Sequence, residues 1–373
     1  MVLSLFYIYI IRRYIYEWDK IDEFKTPSNF SPSTYISVII PARNEARNIK
    51  KCLDSVLNQI YPVSLFEVIL IDDYSEDNTA KIVENFRNPQ LKLLRAADFT
   101  QEGDHQAYKK KAVQIGINNA RGKLIVTTDA DCVVGENWLK TIASFYEINK
   151  PKFIASPVNF IDERNLFQRF QSLDFLGMMG VTGGGIEGGF MNMCNGANLA
   201  YEKKVFEEVK GFEGIDHLAS GDDMLLMQKI ALQYPNGISF LKNQDVVVCT
   251  EAQPTLKSFL NQRIRWSSKT AAYKEWKVTF ILIMVFLLCC NIILSLFLIP
   301  FYGLTMAMIF GIQVLVKTMM DFLFLGKMAK YFSRKDLMRS FLPAQFLHIS
   351  YIVTIGFLSI FVKKYTWKGR KAS

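Results

Sequence analysis

Hydrophobic and polar positions alternate regularly in the first third of the chain. Between residues 35 and 128, short apolar runs are separated by polar stretches that carry apolar residues at helical spacing. The predicted strands are Tyr35–Ile40, Phe66–Ile71, Leu91–Leu94 and Leu124–Thr128, and the predicted helices lie within 45–59, 78–86 and 110–120. Strands that alternate with helices and read as continuous β-branched runs predict an α/β domain, with a mostly parallel sheet and helices on both faces.

The last hundred residues follow a different pattern. No Asp, Glu, Lys or Arg occurs from Val278 to Val316 or from Ser340 to Val362. Segments of this length can cross a hydrocarbon core about 30 Å thick, and they must be helical there because no water satisfies the backbone. Pro300–Gly303 predicts a turn between two such helices. Lys317 and Asp321 lie one helical turn apart in the middle segment, where charges are usually paired or functional.

These patterns divide the chain into four parts. Residues 1–34 form an N-terminal membrane anchor and linker, although the apolar stretch Met1–Ile11 is short for a full crossing. Residues 35–253 form the α/β domain, 254–277 an amphipathic helix at the membrane surface, and 278–373 the transmembrane region with a basic loop and tail. Three full crossings in that region would put the loop and the tail on opposite sides, against the positive-inside rule. Either one segment does not cross or the rule fails here.

Charge and cysteine content narrow the class of protein. The net charge is +9, but no nucleic-acid-binding module is recognisable, so we expect no nucleic-acid partner and attribute the charge to the membrane surface. The six cysteines include no CxxC pair and no metal-ligand spacing. We therefore expect a reduced, cytosolic α/β domain on an integral protein of the inner (plasma) membrane.

Acidic residues follow two of the predicted strands. Asp72-Asp73 ends the second strand, and Asp129-Ala130-Asp131 follows the fourth. Ligands of open α/β sheets bind beyond the carboxyl ends of the strands, so these side chains should meet in one cleft. Like charges repel there unless a divalent cation such as Mg²⁺ or Mn²⁺ binds their oxygens. Aspartate is also common in turns after strands, which is the structural alternative.

Seven segments in order resemble motifs of one enzyme family. They are Val38–Glu45, Ile71–Thr79, Lys109 with Ala112 and Gly116, Thr128–Asp131, Asn195–Ala200, Gly221–Asp223 and Gln262–Trp266. Together they resemble family 2 glycosyltransferases, which are inverting enzymes with a GT-A nucleotide-binding domain. The last segment is similar to the Gln-X-X-Arg-Trp signature of the membrane-bound branch.

The resemblance implies roles for individual residues. It implies donor or nucleotide binding by Pro41, Ala42, Arg43, Glu45, Asp73, Lys109, Asp129, Gln262, Arg265 and Trp266. It implies metal binding by Asp129 and Asp131, an acceptor site at Asn195, Gly196 and Asn198, and catalysis by Asp223 or Asp222. Arg263 and Arg265 cannot share a helix face, and the resemblance favours Arg265 as the phosphate contact. Trp266 either stacks on a sugar or acceptor ring or is a membrane-interface tryptophan.

Inversion requires a base opposite the leaving group. Asp223 is our candidate for taking the proton of an acceptor hydroxyl, with Asp222 as the alternative. One of these aspartates could instead cap the helix predicted by the apolar run Met224–Met227. The glycine-rich run Gly183–Gly189 lacks the ending of a phosphate-binding P-loop, and we interpret it as a flexible segment near the acceptor entrance.

The leading hypothesis is transfer of a sugar from a nucleotide-sugar donor to a hydroxyl of a lipid or lipid-linked acceptor, at the cytoplasmic membrane face. A processive polysaccharide synthase is an alternative, although a polymer channel generally needs more spans. Metal-dependent nucleotidyl or phosphoryl transfer also uses paired aspartates and basic residues, but it leaves Asp223 without a task. A non-enzymatic membrane scaffold would not explain acidic residues at two strand ends.

Overall fold

The computed structural model of the chain describes residues 1–99, 108–190, 193–218, 220–268, 276–361, 365–368 and 370–372. It divides into two compact units. The sheet unit comprises residues 22–159, 192–251 and 364–373, and the helical unit comprises residues 1–21, 160–191 and 252–363. This division differs from the predicted boundaries, because residues 160–191 group with the apolar helices and the C-terminal residues group with the sheet.

The strands of the chain are β1 Ile36–Ala42, β2 Phe66–Asp72, β3 Leu91–Arg95, β4 Leu124–Thr127, β5 Phe153–Ala155, β6 Val158–Ile161, β7 Leu199–Glu202, β8 Ile238–Phe240, β9 Val248–Glu251, β10 Tyr365–Trp367 and β11 Arg370–Ala372. Seven of them form the main sheet in the order β3-β2-β1-β4-β7-β5-β8. β6 pairs with β9, and β10 pairs with β11, in two small sheets.

The first four strands of the main sheet run parallel, as predicted. β1 lies between β2 and β4, with Ile36 opposite Phe66 on one side and Leu124 on the other. β7 is antiparallel to β4 and β5, which makes the sheet mixed. Every residue of β2 and β4 is buried. Such burial on both faces explains why these strands are continuous apolar runs.

Among the described residues, the sheet unit has the α-helices α2 Ile49–Leu57, α3 Thr79–Glu84, α4 Tyr108–Asn118, α5 Trp138–Asn149, α7 Lys203–Glu208 and α8 Met224–Gln233. The predicted order of strands and helices up to residue 128 is confirmed. α4 packs on β1 and β2, and its first turn carries Lys109.

The helical unit contains α1 Val2–Lys20, α6 Leu166–Glu187, α9 Leu256–Ser268, α10 Trp276–Tyr331 and α11 Phe341–Phe361. α1 packs against α6 and α10, and α11 packs against α6, α9 and α10. α9 is a helix within the predicted span 254–277, of which residues 269–275 lie outside the described residues, and its place at the membrane surface stays a prediction. α1 is longer than the apolar stretch suggested, since it continues past Arg12 and Arg13 to Lys20.

The prediction of a flexible segment at Gly183–Gly189 is wrong for most of that run. Gly183, Gly184 and Gly185 are buried inside α6, which ends at Glu187. A β-carbon on Gly184 would lie 2.8 Å from the backbone oxygen of Tyr14 in α1. Glycine is therefore used here for close contact between two helices, and this packing outweighs its low helix propensity.

α10 consists of two helical halves joined at Gly303, whose backbone is not helical (φ 59°, ψ −138°). Gln313 in the second half donates to Asn291 in the first half at 2.6 Å and accepts from Ser295 at 3.2 Å. The halves therefore fold back on each other, as the turn prediction at Pro300–Gly303 required. Within the part of the chain that the structure describes, two helical segments, Trp276–Tyr331 and Lys335–Ser359, are long and apolar enough to cross a membrane.

Lys317 and Asp321, in the second half of α10, form an ion pair. Lys317 is fully buried, and its Nζ lies 2.5 Å from Asp321 Oδ2. Asp321 also accepts hydrogen bonds from Tyr7 of α1 and from Gln345 of α11, the latter at 2.7 Å. His348 Nδ1 of α11 lies 3.3 Å from Lys317 Nζ. This cluster joins three helices and satisfies the charges in an apolar surrounding.

Candidate active site

The carboxyl ends of β1, β2 and β4 lie side by side at one edge of the sheet. The amide of Asp73, just after β2, donates to the carbonyl of Ala42 at 2.8 Å. The amide of Thr128, just after β4, donates to the carbonyl of Ile39 at 3.3 Å. The acidic residues that follow β2 and β4 therefore flank the end of β1, as the parallel order predicted.

Lys109 lies between two of the predicted acidic residues. Its Nζ is 2.8 Å from Asp129 Oδ1 and 3.3 Å from Asp222 Oδ2. One pocket is lined by these three residues together with Pro41, Val113, Thr127, Thr128, Gly196, Leu199, Tyr201 and Asp223. The fold thus gathers residues from five predicted motifs that span more than one hundred residues of sequence.

The charge on Lys109 is strongly stabilised. Burial alone would lower its pKa, but the carboxylates of Asp129 and Asp222 raise the pKa well above the usual lysine value. Lys109 is therefore a permanent cation beside two carboxylates. Such a fixed charge both holds the aspartates in place and offers positive potential to an anionic ligand.

Asp223 both caps a helix and lines the pocket. It is the N-cap of α8, where its Oδ1 accepts from the amide of Met224 at 2.7 Å. Its Oδ2 accepts from the amide of Gly196 at 3.2 Å and lies in the lining of the pocket. Asp222 faces Lys109 instead. Helix capping and exposure to the pocket are therefore combined in Asp223.

The predicted acceptor motif forms a turn at the pocket wall. Asn195 Oδ1 accepts from the amide of Ala197 at 2.9 Å. A β-carbon on Gly196 would lie 3.4 Å from both Asp222 Oδ2 and Lys109 Nζ, so the missing side chain leaves room in the pocket. Asn198 is fully buried, and its amide donates to the carbonyls of Pro157 and Val246 at 2.8 and 2.7 Å. In this structure Asn198 supports the turn from inside the protein.

Asp129, Asp131 and Cys132 place one potential ligand atom each within 4.8 Å of one another. The protein atoms packed around the Asp131 carboxylate, with Asp129 and Glu45 acting in the same direction, raise its pKa to about 6. Burial also raises the pKa of the Cys132 thiol well above its usual value, so this sulfur stays protonated. Two carboxylates and a neutral thiol fit a hard divalent cation bound through oxygen.

Arg43 and Glu45 lie in the loop after β1. The Arg43 guanidinium donates to the carbonyls of Asp73 and Tyr74, to the former at 3.0 Å, and its Nη2 lies 2.7 Å from Glu76. Arg43 therefore ties the loop after β1 to the loop after β2. Glu45 accepts from Asn48 at 2.9 Å and pairs with Lys368.

The motif Gln262–Trp266 lies on α9 in the helical unit. Arg263 is buried there, with its Nη2 2.8 Å from Asp174 Oδ2 of α6. Its guanidinium carbon is 4.3 Å from the centre of the Trp266 ring, which also packs near Phe175. Gln262 and Arg265 are partly buried. Arg263 is thus committed to Asp174, in agreement with the expectation that Arg263 and Arg265 face different ways.

Two family models match the chain. Residues 37–210 match the model "Glycosyl transferase family 2", and residues 124–329 match "Glycosyl transferase family group 2", which covers more than half of the chain. The chain belongs to glycosyltransferase family 2. It is a hexosyltransferase-type enzyme, and its mixed sheet with acidic strand ends is the GT-A catalytic fold.

Individual relatives of this glycosyltransferase agree with the family models. Glycosyltransferase AglE of Haloferax volcanii is 28% identical over 59% of the chain and 68% of its own length. A dolichyl-phosphate β-glucosyltransferase of Trichomonas vaginalis is 32% identical over 43% of the chain, which spans about half (51%) of that relative. A dolichyl N-acetyl-α-D-glucosaminyl phosphate 3-β-D-2,3-diacetamido-2,3-dideoxy-β-D-glucuronosyltransferase of Methanococcus voltae is 26% identical over 63% of the chain and 72% of its own length.

The fold of the glycosyltransferase is also similar to a solved structure. The mannosyltransferase PcManGT from Pyrobaculum calidifontis, in complex with GDP-Man and Mn²⁺, aligns with a TM-score of 0.56. The alignment covers 96% of this chain and 95% of the other at 17% identity. The similarity in fold therefore extends over nearly the whole chain.

Sequence reasoning missed several residues at this site. Arg370 binds Asp73, Lys368 pairs with Glu45, and Tyr108 packs against Arg370. The sequence showed Lys368 and Arg370 only as part of a basic tail. The sequence feature that marks them is the group Trp-Lys-Gly-Arg at 367–370. A single sequence contains nothing that connects this group to residues 45 and 73.

Proposed function

We propose that this glycosyltransferase moves a sugar, with inversion, from a nucleotide-sugar donor to a hydroxyl of a lipid or lipid-linked acceptor at the cytoplasmic membrane face. The observation that carries the proposal is the shared pocket of Lys109, Asp129, Asp222 and Asp223 at the carboxyl edge of the sheet. Family membership supports the reaction class. Two of its relatives are named for dolichyl-phosphate substrates, which supports a lipid-linked acceptor.

Donor binding is assigned to the loops after β1, β2 and β4. Asp73 contacts the nucleobase, while Asp129 and Asp131 hold the divalent cation, Mg²⁺ or Mn²⁺. When bound, that cation neutralises the charge that develops on the departing diphosphate. Lys109 adds a fixed positive charge beside Asp129, which draws the anionic donor into the pocket.

Asp223 is the proposed base. Its carboxylate is held by two backbone amides, and the open space at Gly196 lets an acceptor hydroxyl approach it. As the acceptor oxygen bonds to the anomeric carbon, its proton passes to Asp223 and the bond to the diphosphate breaks. The nucleoside diphosphate leaves with that electron pair, and the sugar changes configuration. Asp222, paired with Lys109, holds the wall of the pocket and is the alternative base.

The helical unit is assigned to membrane binding and to the acceptor. The Gln262–Trp266 motif assigns the enzyme to the membrane-bound branch, with Arg265 as a phosphate contact and Gln262 and Trp266 as further donor or acceptor contacts. We propose four functional parts of the chain: an anchor and linker at 1–34, a catalytic domain at 35–253, an interface helix at 254–277 and a membrane region at 278–373. Two apolar helical segments and the lipid-linked substrates of its relatives support a place in the inner membrane.

The test is incubation of membranes that contain the enzyme with radiolabelled nucleotide sugars and Mn²⁺ or Mg²⁺, followed by organic extraction. Label in a short glycolipid, absent with Asp223→Asn, is the expected result. Label only in insoluble polymer would instead indicate processive synthesis. Release of pyrophosphate from a nucleoside triphosphate, without sugar transfer, would refute the proposal.

A further inference from the structure

The C-terminal hairpin consists of β10 and β11, joined by a turn that contains Lys368. Tyr365 lies opposite Ala372, and Trp367 lies opposite Arg370. The hairpin belongs to the sheet unit although it follows the last apolar helix in sequence. Its contacts fall on residues of the proposed donor site.

Arg370 makes the most extensive of these contacts. Its Nη1 lies 2.9 and 2.8 Å from the two carboxylate oxygens of Asp73. Its guanidinium carbon lies 3.5 Å from the centre of the Tyr108 ring, a cation–π contact. Asp73 is almost fully buried, so this charge-assisted hydrogen bonding fixes the orientation of the carboxylate. Each carboxylate oxygen has a second lone pair, so Asp73 still has acceptor capacity for a nucleobase.

Lys368 makes the second set of contacts. Its backbone is left-handed (φ 45°), and its carbonyl accepts from Arg43 Nε at 3.2 Å. Its Nζ pairs with Glu45. The hairpin therefore contacts three residues that the sequence assigned to the donor: Arg43, Glu45 and Asp73. A tail that folded back on the surface without a role in the site would not be expected to contact all three of these residues.

The hairpin adds positive charge to an acidic site. Asp73, Asp129, Asp131 and Glu45 are all acidic, while a nucleoside diphosphate is itself an anion. The hairpin brings two cations into this acidic surrounding, one at Asp73 and one at Glu45. Such cations lower the repulsion that an anionic donor would meet.

We propose that the C-terminal hairpin completes the donor site, with Arg370 as a positioning residue that orients Asp73 towards the nucleobase and Lys368 as a cation on the diphosphate side. This inference rests on the proposed function, since it assumes a nucleotide-sugar donor. It assigns the last residues of the chain to substrate binding.

The test uses the purified full-length enzyme in detergent. Binding of GDP and of UDP is measured by calorimetry with Mn²⁺, and the KM for donor and kcat are measured separately. Arg370→Ala should weaken binding of the nucleotide that the wild type prefers by about ten-fold or more and raise the KM, with a smaller change in kcat. Arg370→Lys keeps the charge and should recover part of the loss. Arg95→Ala, which removes an arginine from an exposed pair with Glu84, should bind like the wild type.

A double-mutant cycle separates positioning from general damage to the fold. If Arg370 acts through Asp73, Arg370→Ala should add little to the loss already caused by Asp73→Asn. Fully additive losses, or an unchanged Kd in a folded Arg370→Ala variant, would overturn the proposal. Tighter binding by Arg370→Ala would overturn it too, because the hairpin would then block the site. A wild type that binds neither nucleotide would instead refute the proposed function.

Discussion

Replacement of Asp223 by asparagine separates proton removal from helix capping. Asparagine has the same size and caps helices about as well as aspartate, so its oxygen can keep the hydrogen bond from the Met224 amide. Its NH₂ group cannot accept from the Gly196 amide, so that hydrogen bond at 3.2 Å is lost. The loss should cost about 0.5–1.5 kcal/mol of folding free energy.

The expected loss of activity is larger than the loss of stability. General base catalysis typically contributes about 10²–10⁴-fold, which corresponds to roughly 3–5 kcal/mol of activation free energy. Asp223→Asn should therefore lower kcat by about this factor, while the Kd for the nucleoside diphosphate changes little. Thermal unfolding of the purified enzyme, monitored in detergent, would show that the variant is folded at the assay temperature.

Asp222→Asn is the matched control for this experiment. It changes the neighbouring carboxylate in the same way, but it weakens the ion pair with Lys109 at 3.3 Å instead of removing the proposed base. Its kcat should fall less than that of Asp223→Asn. Our assignment is refuted if Asp223→Asn keeps more than about a tenth of the wild-type kcat, or if Asp222→Asn is the more damaging change.

Three further predictions concern the metal, the pocket and the buried ion pair. Asp131→Ala should abolish stimulation by Mn²⁺. In the wild type, Mn²⁺ affinity measured by titration should fall as the pH drops through about 6, because the protein atoms around the Asp131 carboxylate, together with Asp129 and Glu45, raise its pKa to about 6, and protonation then removes its charge. An affinity that is constant from pH 7 to 5 would contradict this. Gly196→Ala should fold normally but lower kcat/KM, because the methyl group of the new alanine enters the pocket 3.4 Å from Asp222 Oδ2. Unchanged kinetics would show that no substrate passes there. Lys317→Met should lower the unfolding free energy by about 3–5 kcal/mol, because it leaves Asp321 buried without its ion-pair partner. The double variant Lys317→Met with Asp321→Leu should lower the unfolding free energy less, since it removes both charges. Equal losses for the two variants in thermal unfolding would argue against the pairing.

Much of the fold could be predicted from local patterns. Three of the four parallel strands, β1, β2 and β4, are buried almost throughout, and such burial requires the continuous apolar runs from which they were predicted. Strands β5, β7 and β8 contain only three or four residues each, which is too short for a recognisable periodicity. The antiparallel pairing of β7 with β4 and β5, and the parallel pairing of β5 with β8, depend on contacts that sequence patterns do not encode.

The site was predictable where it lies at strand ends and not elsewhere. Asp73 and Asp129 follow apolar strands, so topology alone brings them to one edge of the sheet. The pairing of Arg370 with Asp73 joins residues 297 positions apart in sequence, and no local pattern indicates this pairing. The glycine-rich run was misjudged because propensity favours a loop, while contact with Tyr14 of α1 favours a helix.

The position of the C-terminal hairpin also restricts the path of the chain through the bilayer. β9 and β10 both belong to the sheet unit, and a folded water-exposed unit cannot lie on two sides of a membrane at once. We therefore expect the chain between them to cross a bilayer an even number of times, although it contains three apolar segments: the two halves of α10 and α11. The halves of α10, folded back at Gly303, are the pair that we expect to cross. If α11 does not cross, the basic loop and the basic tail at its two ends share one leaflet, as the positive-inside rule predicts.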